Sequence, residues 1–177
     1  TGVQTCALPI YAPLMVARQW WKYCVASTHI DDQNGWNESS RRYVTENEEF
    51  YVPDAWRSKP ANSKQGSGEN VEKTLSEYYT NLLVEHIEQS ETFYRMAMED
   101  GIAPEQARLF LPAYSMYVRW RWTCSLHSLL HFLSQRLNHD AQFEIQKYAF
   151  AIKNLILYKF PNTLEVCGLV GKKENNE

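Results

Sequence analysis

The longest periodic stretch of the chain runs from Val71 to Ala97, and it constrains the fold more than any other feature. Its apolar residues recur at a spacing close to 3.6, which is typical of one face of an α-helix; they are Val71, Leu75, Tyr78, Tyr79, Leu82, Leu83, Ile87, Phe93 and Ala97. Gly101 follows, and glycine is common just past a helix C-terminus. The sequence therefore predicts a long amphipathic helix that stops at Gly101.

Shorter helices are predicted on both sides of this segment. A first helix follows Pro13, because proline is tolerated in an initial helical turn and apolar residues continue at helical spacing after it. Pro104 opens a short helix that carries Arg108. Two further helices are predicted over residues 125–137 and 141–158.

The run 114–123 is aromatic and β-branched, which predicts a strand or an extended turn. Residues 58–70 are polar and rich in glycine and serine, and they indicate a flexible surface connection rather than a domain boundary. A chain of 177 residues with 44% hydrophobic residues is long enough for one domain with a real core. The predicted fold class is α+β and mainly helical.

Composition excludes several classes of function. A formal net charge of −3 and the absence of a sustained basic run argue against a general nucleic-acid binder. No apolar run approaches 18 residues, so no membrane-spanning helix is predicted. The four cysteines show neither paired metal-ligand spacing nor a disulfide framework, which favours idle thiols in a reducing compartment.

The densest polar cluster is the run from Asn37 to Tyr43, which places a carboxylate, two serine hydroxyls and two guanidiniums within seven residues. Arginine offers a planar fork to phosphate oxygens, and serines add short neutral donors. The cluster can therefore bind a phosphate, a sugar and a polar ring together. A solvated polar turn is the alternative on composition alone.

Two blocks of sequence resemble the flavin-dependent thymidylate synthases. The first comprises Leu14-Met15-Val16-Ala17-Arg18-Gln19-Trp20, then Asn37-Glu38-x-Ser40-x-Arg42-Tyr43, then Phe50-Tyr51-Val52-Pro53. The second comprises Ala107-Arg108-x-x-Leu111-Pro112, Trp122-Thr123, Gln135-Arg136 and Ala141-Gln142-x-Glu144-Ile145. The blocks keep their order, and residues 28–36 between the two halves of the first block resemble an inserted loop.

The resemblance implies an activity and a set of ligands. Members of that family methylate dUMP to dTMP, with methylenetetrahydrofolate as carbon donor and with FAD and NADPH supplying the hydride. It also implies a homotetramer with sites shared between subunits, in a bacterial or host cytoplasm, and partners that are small molecules rather than nucleic acid or membrane.

The resemblance also implies site residues. Arg136 is expected to be catalytic, because a cation beside the uracil ring stabilises negative charge that develops there. Its alternative role is to neutralise the C-terminal dipole of its own helix. The dUMP-binding residues are expected to be Gln19, Lys22, Glu38, Ser39, Ser40, Arg41, Arg42, Arg108 and Arg136. Ser40 is assigned to binding, since no histidine lies beside it to activate a nucleophile.

The flavin side departs from the family pattern. The family's Arg-His-Arg triplet corresponds to Lys22-Tyr23-Cys24, and lysine cannot reproduce a bidentate guanidinium. The expected FAD-binding residues are Lys22, Tyr23, Cys24, Glu38, Ser125, His127 and His131. His127 and His131 are also spaced as a pair of zinc ligands, but Ser128 replaces the glutamate of a hydrolase motif, so no metal is expected.

The first ten residues resemble a translated sequencing adapter, and we expect them to be a non-native scar. The family domain is then expected to span residues 11–170, with a charged tail at 171–177. Members of the family carry strands and a flavin-contacting histidine before the position of Tyr11. We therefore expect weak FAD binding, little thymidylate synthesis, and exposed apolar residues on the first helix at Leu14, Trp20 and Trp21.

Two other classes of function stay open at this point. One is a catalytically impaired fragment that only oligomerises or binds nucleotide through its arginines. The other is a helical partner-binding module without chemistry, which the concentrated polar runs disfavour.

Overall fold

The computed structural model describes residues 5–23, 36–38, 49–60 and 66–169. A three-stranded antiparallel sheet has the order β1-β3-β2, with β1 at Thr5–Pro13, β2 at Trp36–Glu38 and β3 at Tyr117–Ser125. β3 is therefore the central strand. It pairs with β1 over nine residues, from Thr5 opposite Ser125 to Pro13 opposite Tyr117.

The side chains of β3 alternate strictly between the core and the solvent. Val118, Trp120, Trp122 and Cys124 are buried, whereas the residues between them are exposed. This alternation is expected for a strand with one packed face, because successive side chains point to opposite faces of a sheet. The sheet thus contributes one apolar face to the core.

Helices α1 at Leu14–Trp20 and α4 at Leu126–Arg136 contact the sheet. Helix α5 at Phe143–Leu157 packs on both of them, and α6 at Pro161–Val166 packs on α5. Trp20 of α1 lies at the centre and is fully buried. Its ring stacks on Phe132 at 4.6 Å between centroids and meets Trp120 and Trp122 edge-on at 5.5 and 5.6 Å. These are the geometries that aromatic pairs prefer, and they lock α1, β3 and α4 together.

The longest helix, α2 at Lys73–Glu99, lies outside this aromatic core. Its main contacts are with α3, Pro104–Ala107, and with a 3₁₀ turn at Arg108–Phe110. Ile87 and Ser90 are its buried residues, and Gly101 beyond its end has a φ of 81°, which glycine adopts without strain. Among the described residues, no helix is long and apolar enough to cross a membrane.

Residues 49–57 form a strap that connects α2 to the core. Trp56 Nε1 donates to Thr80 Oγ1 at 3.1 Å, and the Trp56 backbone N–H donates to Ser76 Oγ at 3.2 Å, both on α2. On the other side, Arg57 pairs with Glu144 in the first turn of α5. Trp56 and Arg57 are adjacent in the strap, and they connect it to α2 and to α5, respectively.

The predicted fold class is confirmed, and so are the long helix and the short helix at Pro104. The run 114–123, predicted as a strand or an extended turn, lies largely in strand β3 at Tyr117–Ser125. Arg108 lies just after the short helix, on the 3₁₀ turn. Helix α6 was not predicted, although proline in its first turn is a usual helix start.

Two expectations about the N-terminal part differ from the structure. We expected residues 5–10 to take no part in the fold, but they pair with β3. A strand ladder is made by backbone groups, so it does not depend on the side chains of this segment, and Ile10 also faces the core. The prediction that apolar residues of the first helix are exposed was wrong, since Trp20 is fully buried and Leu14 and Trp21 are partly buried against the core. The origin of residues 1–10 stays a prediction.

Candidate functional site

The C-terminal end of α1 meets the start of α5 through two glutamines. Gln19 Nε2 donates to Gln142 Oε1, and it also donates to the Met15 backbone carbonyl at 3.0 Å. Gln142 is the residue that precedes α5, and Gln19 is partly buried. The contact fixes where the loop between α4 and α5 lies relative to α1.

Arg136 is the last residue of α4, at the other end of that loop. Its guanidinium carbon lies 5.2 Å from the ring centroid of Tyr23, within the range of a cation–π contact. The side chain is partly buried, and its Nε atom is buried without a hydrogen-bond partner among the described residues. A positive charge at this position is thus shielded on one side and supported by an aromatic face.

Tyr23 is itself anchored in the core. Its ring meets Phe132 edge-on at 5.2 Å, and its backbone N–H donates to the Trp20 carbonyl at 2.9 Å. Burial raises the pKa of the Tyr23 phenol, whereas the charge of Arg136 and a hydrogen bond from its side chain lower it in part. The phenol is therefore protonated at neutral pH and presents a neutral hydroxyl beside the guanidinium.

The face of α4 nearest this cluster carries the two predicted histidines. His127 and His131 are exposed and lie one turn apart, and the His131 ring is 5.7 Å from the Tyr23 ring. Ser125 caps the helix by accepting a hydrogen bond from the Ser128 backbone N–H at 3.2 Å. Lys22 is exposed just after α1. The structure thus brings Lys22, Tyr23, His131 and Arg136 to one end of the core.

Arg108 is a predicted site residue that lies outside this cluster. It is exposed on the 3₁₀ turn, and that turn packs on α2 and α3. Glu38 lies on edge strand β2 opposite Trp120, and the structure gives its backbone only. The remaining predicted residues, Cys24, Ser39, Ser40, Arg41 and Arg42, lie outside the described part of the chain.

A second polar cluster was not predicted as functional. Glu144 is 7% exposed and accepts from Arg57, whose guanidinium also lies 4.5 Å from the Phe143 ring centroid. The Tyr51 hydroxyl donates to the same Glu144 oxygen at 3.3 Å. Burial raises the pKa of Tyr51, and the Glu144 carboxylate raises it further. The sequence signal for this cluster was a glutamate on the apolar face of a helix, at Glu144 beside Ile145.

A cleft of about 310 Å³ adjoins this second cluster and is lined mainly by Tyr51, Tyr117, Lys147 and Tyr148. Burial raises the pKa of Tyr148 to about 12, and its hydroxyl donates to the Tyr11 carbonyl at 3.0 Å. These hydroxyls are protonated at neutral pH. The cleft wall is therefore aromatic and neutral apart from Lys147 and the paired Glu144.

The sequence of this chain matches a known protein family. Residues 5–162 match the family described as "Thymidylate synthase complementing protein". The chain belongs to this family. The family resemblance stated from the two sequence blocks is therefore confirmed.

Relatives within the thymidylate synthase complementing protein family carry a more specific name. The flavin-dependent thymidylate synthase of Thermosipho africanus is 36% identical over 156 residues, which cover 88% of this chain and 64% of that protein. That of Thermus thermophilus is 38% identical over 154 residues, covering 86% and 52%. The chain therefore spans between about half and two-thirds of the length of these relatives.

A solved structure has the same fold. The UMP/dUMP methylase PolB of Streptomyces cacaoi, crystallised with 5-bromo-UMP, superposes with a TM-score of 0.77 at 23% identity. The match covers 95% of this chain and 75% of that one.

Proposed function

We propose that this protein acts in the reductive methylation of dUMP to dTMP, with methylenetetrahydrofolate as carbon donor and with FAD and NADPH as the source of hydride. The observation that supports it is that α1, α4 and α5 meet around the loop that begins after Arg136. Gln19 of α1 contacts Gln142 at the end of that loop, and Tyr23, three residues after α1, contacts Arg136 at its start.

Arg136 is proposed as the catalytic cation. Methylation at C5 of uracil requires that carbon to become nucleophilic, which happens as negative charge develops on the ring. A guanidinium beside the ring carbonyls and N3 stabilises that charge with a planar pair of donors. Partial burial strengthens this effect, because charges interact more strongly away from water.

The remaining dUMP contacts are proposals that rest on the family motif. Gln19 offers an amide at the end of the loop that follows Arg136, and Lys22 is an exposed cation next to Tyr23. Edge strand β2 leads into the rest of the phosphate- and sugar-binding set, which is Glu38, Ser39, Ser40, Arg41 and Arg42. Arg108 completes the set from the side of α2.

The described residues fit FAD in their chemistry. His127 and His131 present two exposed imidazoles one turn apart, Ser125 supplies a hydroxyl, and Lys22 supplies a cation for a diphosphate. Tyr23 offers a partly exposed ring, and Glu38 and Cys24 would complete the set by family position. When bound, FAD would carry the hydride; the chain's own residues bind, orient and shield.

We propose a homotetramer with shared sites. One side of α2 exposes apolar residues between 42% and 56%, which are Leu75, Tyr78, Tyr79, Leu82, Phe93 and Met96. A stripe of this kind on a helix marks an interaction surface. Arg108 is exposed on the turn that packs on α2, so we propose that a neighbouring subunit packed on α2 brings Arg108 to another subunit's site. The proposed setting is the cytoplasm, with small-molecule substrates as the other partners.

Arg136→Lys tests the function. It keeps the charge and removes the planar fork, and we expect dTMP formation, followed as tritium release from C5-labelled dUMP, to fall by about 10²–10³-fold. Arg95→Lys is the matched control, because Arg95 is an exposed arginine on α2 that pairs with Glu91, and it should leave the rate unchanged. An unchanged rate in Arg136→Lys would remove Arg136 from the mechanism.

The same assay separates the alternative function. A chain that binds dUMP in calorimetry but releases no tritium, with FAD and NADPH present, would be the impaired nucleotide-binding fragment. A chain that does neither would contradict the proposed function altogether.

A further inference from the structure

The geometry points to Tyr23 as the residue that positions Arg136, through the face of its ring. This inference rests on the proposed function for its catalytic meaning, since Arg136 matters to catalysis only if the site methylates a pyrimidine. The contact itself stands on the structure alone. It assigns to Tyr23 a role inside the protein, in addition to the cofactor contact expected from its place in the sequence.

The position of the guanidinium needs an explanation that α4 does not supply. Arg136 is the last residue of α4, and α4 contains no acidic side chain that could pair with it. Its Nε atom is buried and has no hydrogen-bond partner among the described residues. Tyr23 supplies the contacts that hold the guanidinium: its ring lies 5.2 Å from the guanidinium carbon, and its phenol oxygen accepts a hydrogen bond from the Arg136 side chain.

The ring is fixed before any ligand binds. Phe132, one turn before Arg136 on α4, holds it edge-on at 5.2 Å, and Phe132 in turn stacks on the fully buried Trp20. The Tyr23 backbone is tied to the end of α1 by its hydrogen bond to the Trp20 carbonyl. The support for Arg136 is thus an extension of the aromatic core. The Tyr23 side chain loses its conformational freedom when the protein folds, so ligand binding does not have to order it.

An aromatic face suits this task better than a carboxylate would. A paired carboxylate fixes an arginine but accepts its N–H donors and offsets its charge. A ring face attracts the cation and leaves the in-plane donors available to a planar ligand. Arg136 is therefore held in place while it keeps its full charge for an electron-rich ring.

The contact is tested without ligand or turnover. In the 177-residue chain with ¹⁵N-labelled arginine, the Nε–H signal of Arg136 is identified by its loss in Arg136→Lys. We expect it to be displaced by the Tyr23 ring current in the wild type and in Tyr23→Phe, and to move to the position of ordinary arginines in Tyr23→Leu. An Arg136 signal that is the same in Tyr23→Leu and wild type would overturn the inference.

A second readout separates positioning from general support of the fold. In dUMP titrations, Tyr23→Phe should bind within about twofold of wild type, whereas Tyr23→Leu should bind about 2- to 30-fold more weakly, the range of one cation–π contact. Tyr158→Leu, which removes a 91% exposed ring, is the control and should match wild type. Equal losses in Tyr23→Phe and Tyr23→Leu would assign the effect to the hydroxyl and overturn the role of the ring. If the wild type binds no dUMP, the proposed function fails, and the arginine spectrum still decides the contact.

Discussion

The aromatic core and helix α2 are built from similar residues and have opposite environments. In the core, Trp20 and Trp122 are fully buried between β3 and α4. On α2, six large apolar residues are each exposed by more than 40%, and Ile87 and Ser90 are the buried positions. Residues of the same chain bury the core side chains, whereas they leave the apolar side of α2 exposed to solvent. Both regions therefore have apolar side chains on one side of an element. The two regions differ in whether other parts of the chain pack against those side chains.

The strap at residues 49–57 shows where the two regions meet. Trp56 attaches it to α2 through hydroxyl groups, and Arg57 attaches it to α5 through a buried carboxylate. Since polar contacts contribute less net stability than apolar burial of the same extent, the junction is expected to be weaker than the core. The three predictions that follow test that order, beginning with the largest expected effect.

Replacing the core ring Trp122 with alanine should lower the free energy of unfolding by about 3–5 kcal/mol, because it leaves a cavity among Trp20, Phe132 and β1. Tyr78→Ala on α2 is the counterpart and should cost less than about 1 kcal/mol. Urea denaturation, at protein concentrations where the midpoint no longer depends on concentration, measures both. Equal losses would show that α2 belongs to the same packed unit as the core.

Breaking the strap contact should have an intermediate effect. Arg57→Met leaves Glu144, whose side chain is 8% exposed, without its cation, and we expect a loss of about 1–3 kcal/mol. Adding Glu144→Leu should recover part of that loss, since removing both partners of a buried pair is often nearly neutral. Lys147→Met breaks the exposed pair with Asp54 between the same two segments and should change stability by less than about 1 kcal/mol. A double variant as unstable as the sum of both single variants would mean that the pair is not coupled.

The smallest effect on the unfolding of the single chain is expected on α2. Leu82→Glu should change its free energy of unfolding by about 0.5 kcal/mol or less, yet shift the protein to smaller species in sedimentation velocity, because a charge enters the proposed subunit surface. Asn81→Glu adds the same charge about 100° around the helix and should leave assembly unchanged. If Leu82→Glu sediments as the wild type does, this face of α2 is not the assembly surface.

Much of the fold could be predicted because its elements carry local signals. Helical spacing from Val71 to Ala97 predicted α2, and the aromatic run 114–123 predicted a strand or an extended turn where β3 lies. β1, Thr5–Pro13, was missed over its whole length, since strand pairing depends on a backbone partner more than a hundred residues away. The burial of Trp20 was missed for a similar reason, as it needs Phe132 and Trp122 to surround it.

The sequence motifs lead to a set of candidate site residues, whose roles stay predictions, but not to the contacts between them. Arg136 and Gln19 were identified from motifs, and the structure places both at the ends of helices that meet near the α4–α5 loop. No pattern in the sequence indicated that Tyr23 would lie under Arg136, because that contact joins two segments far apart in the chain. The assignments to Ser40, Arg41 and Arg42 stay predictions, as does the sharing of sites that Arg108 suggests.

The alternation along β3 sets which changes in length the gene can tolerate. Four inward residues alternate with outward neighbours that include Arg119 and Arg121, so inserting one codon within the strand would turn the following arginines inward and the tryptophans outward. Inserting two codons would keep every later side chain on its own side. Natural insertions and deletions in this strand should therefore more often comprise an even number of residues than an odd number. No such preference is expected in a polar connection such as 58–70.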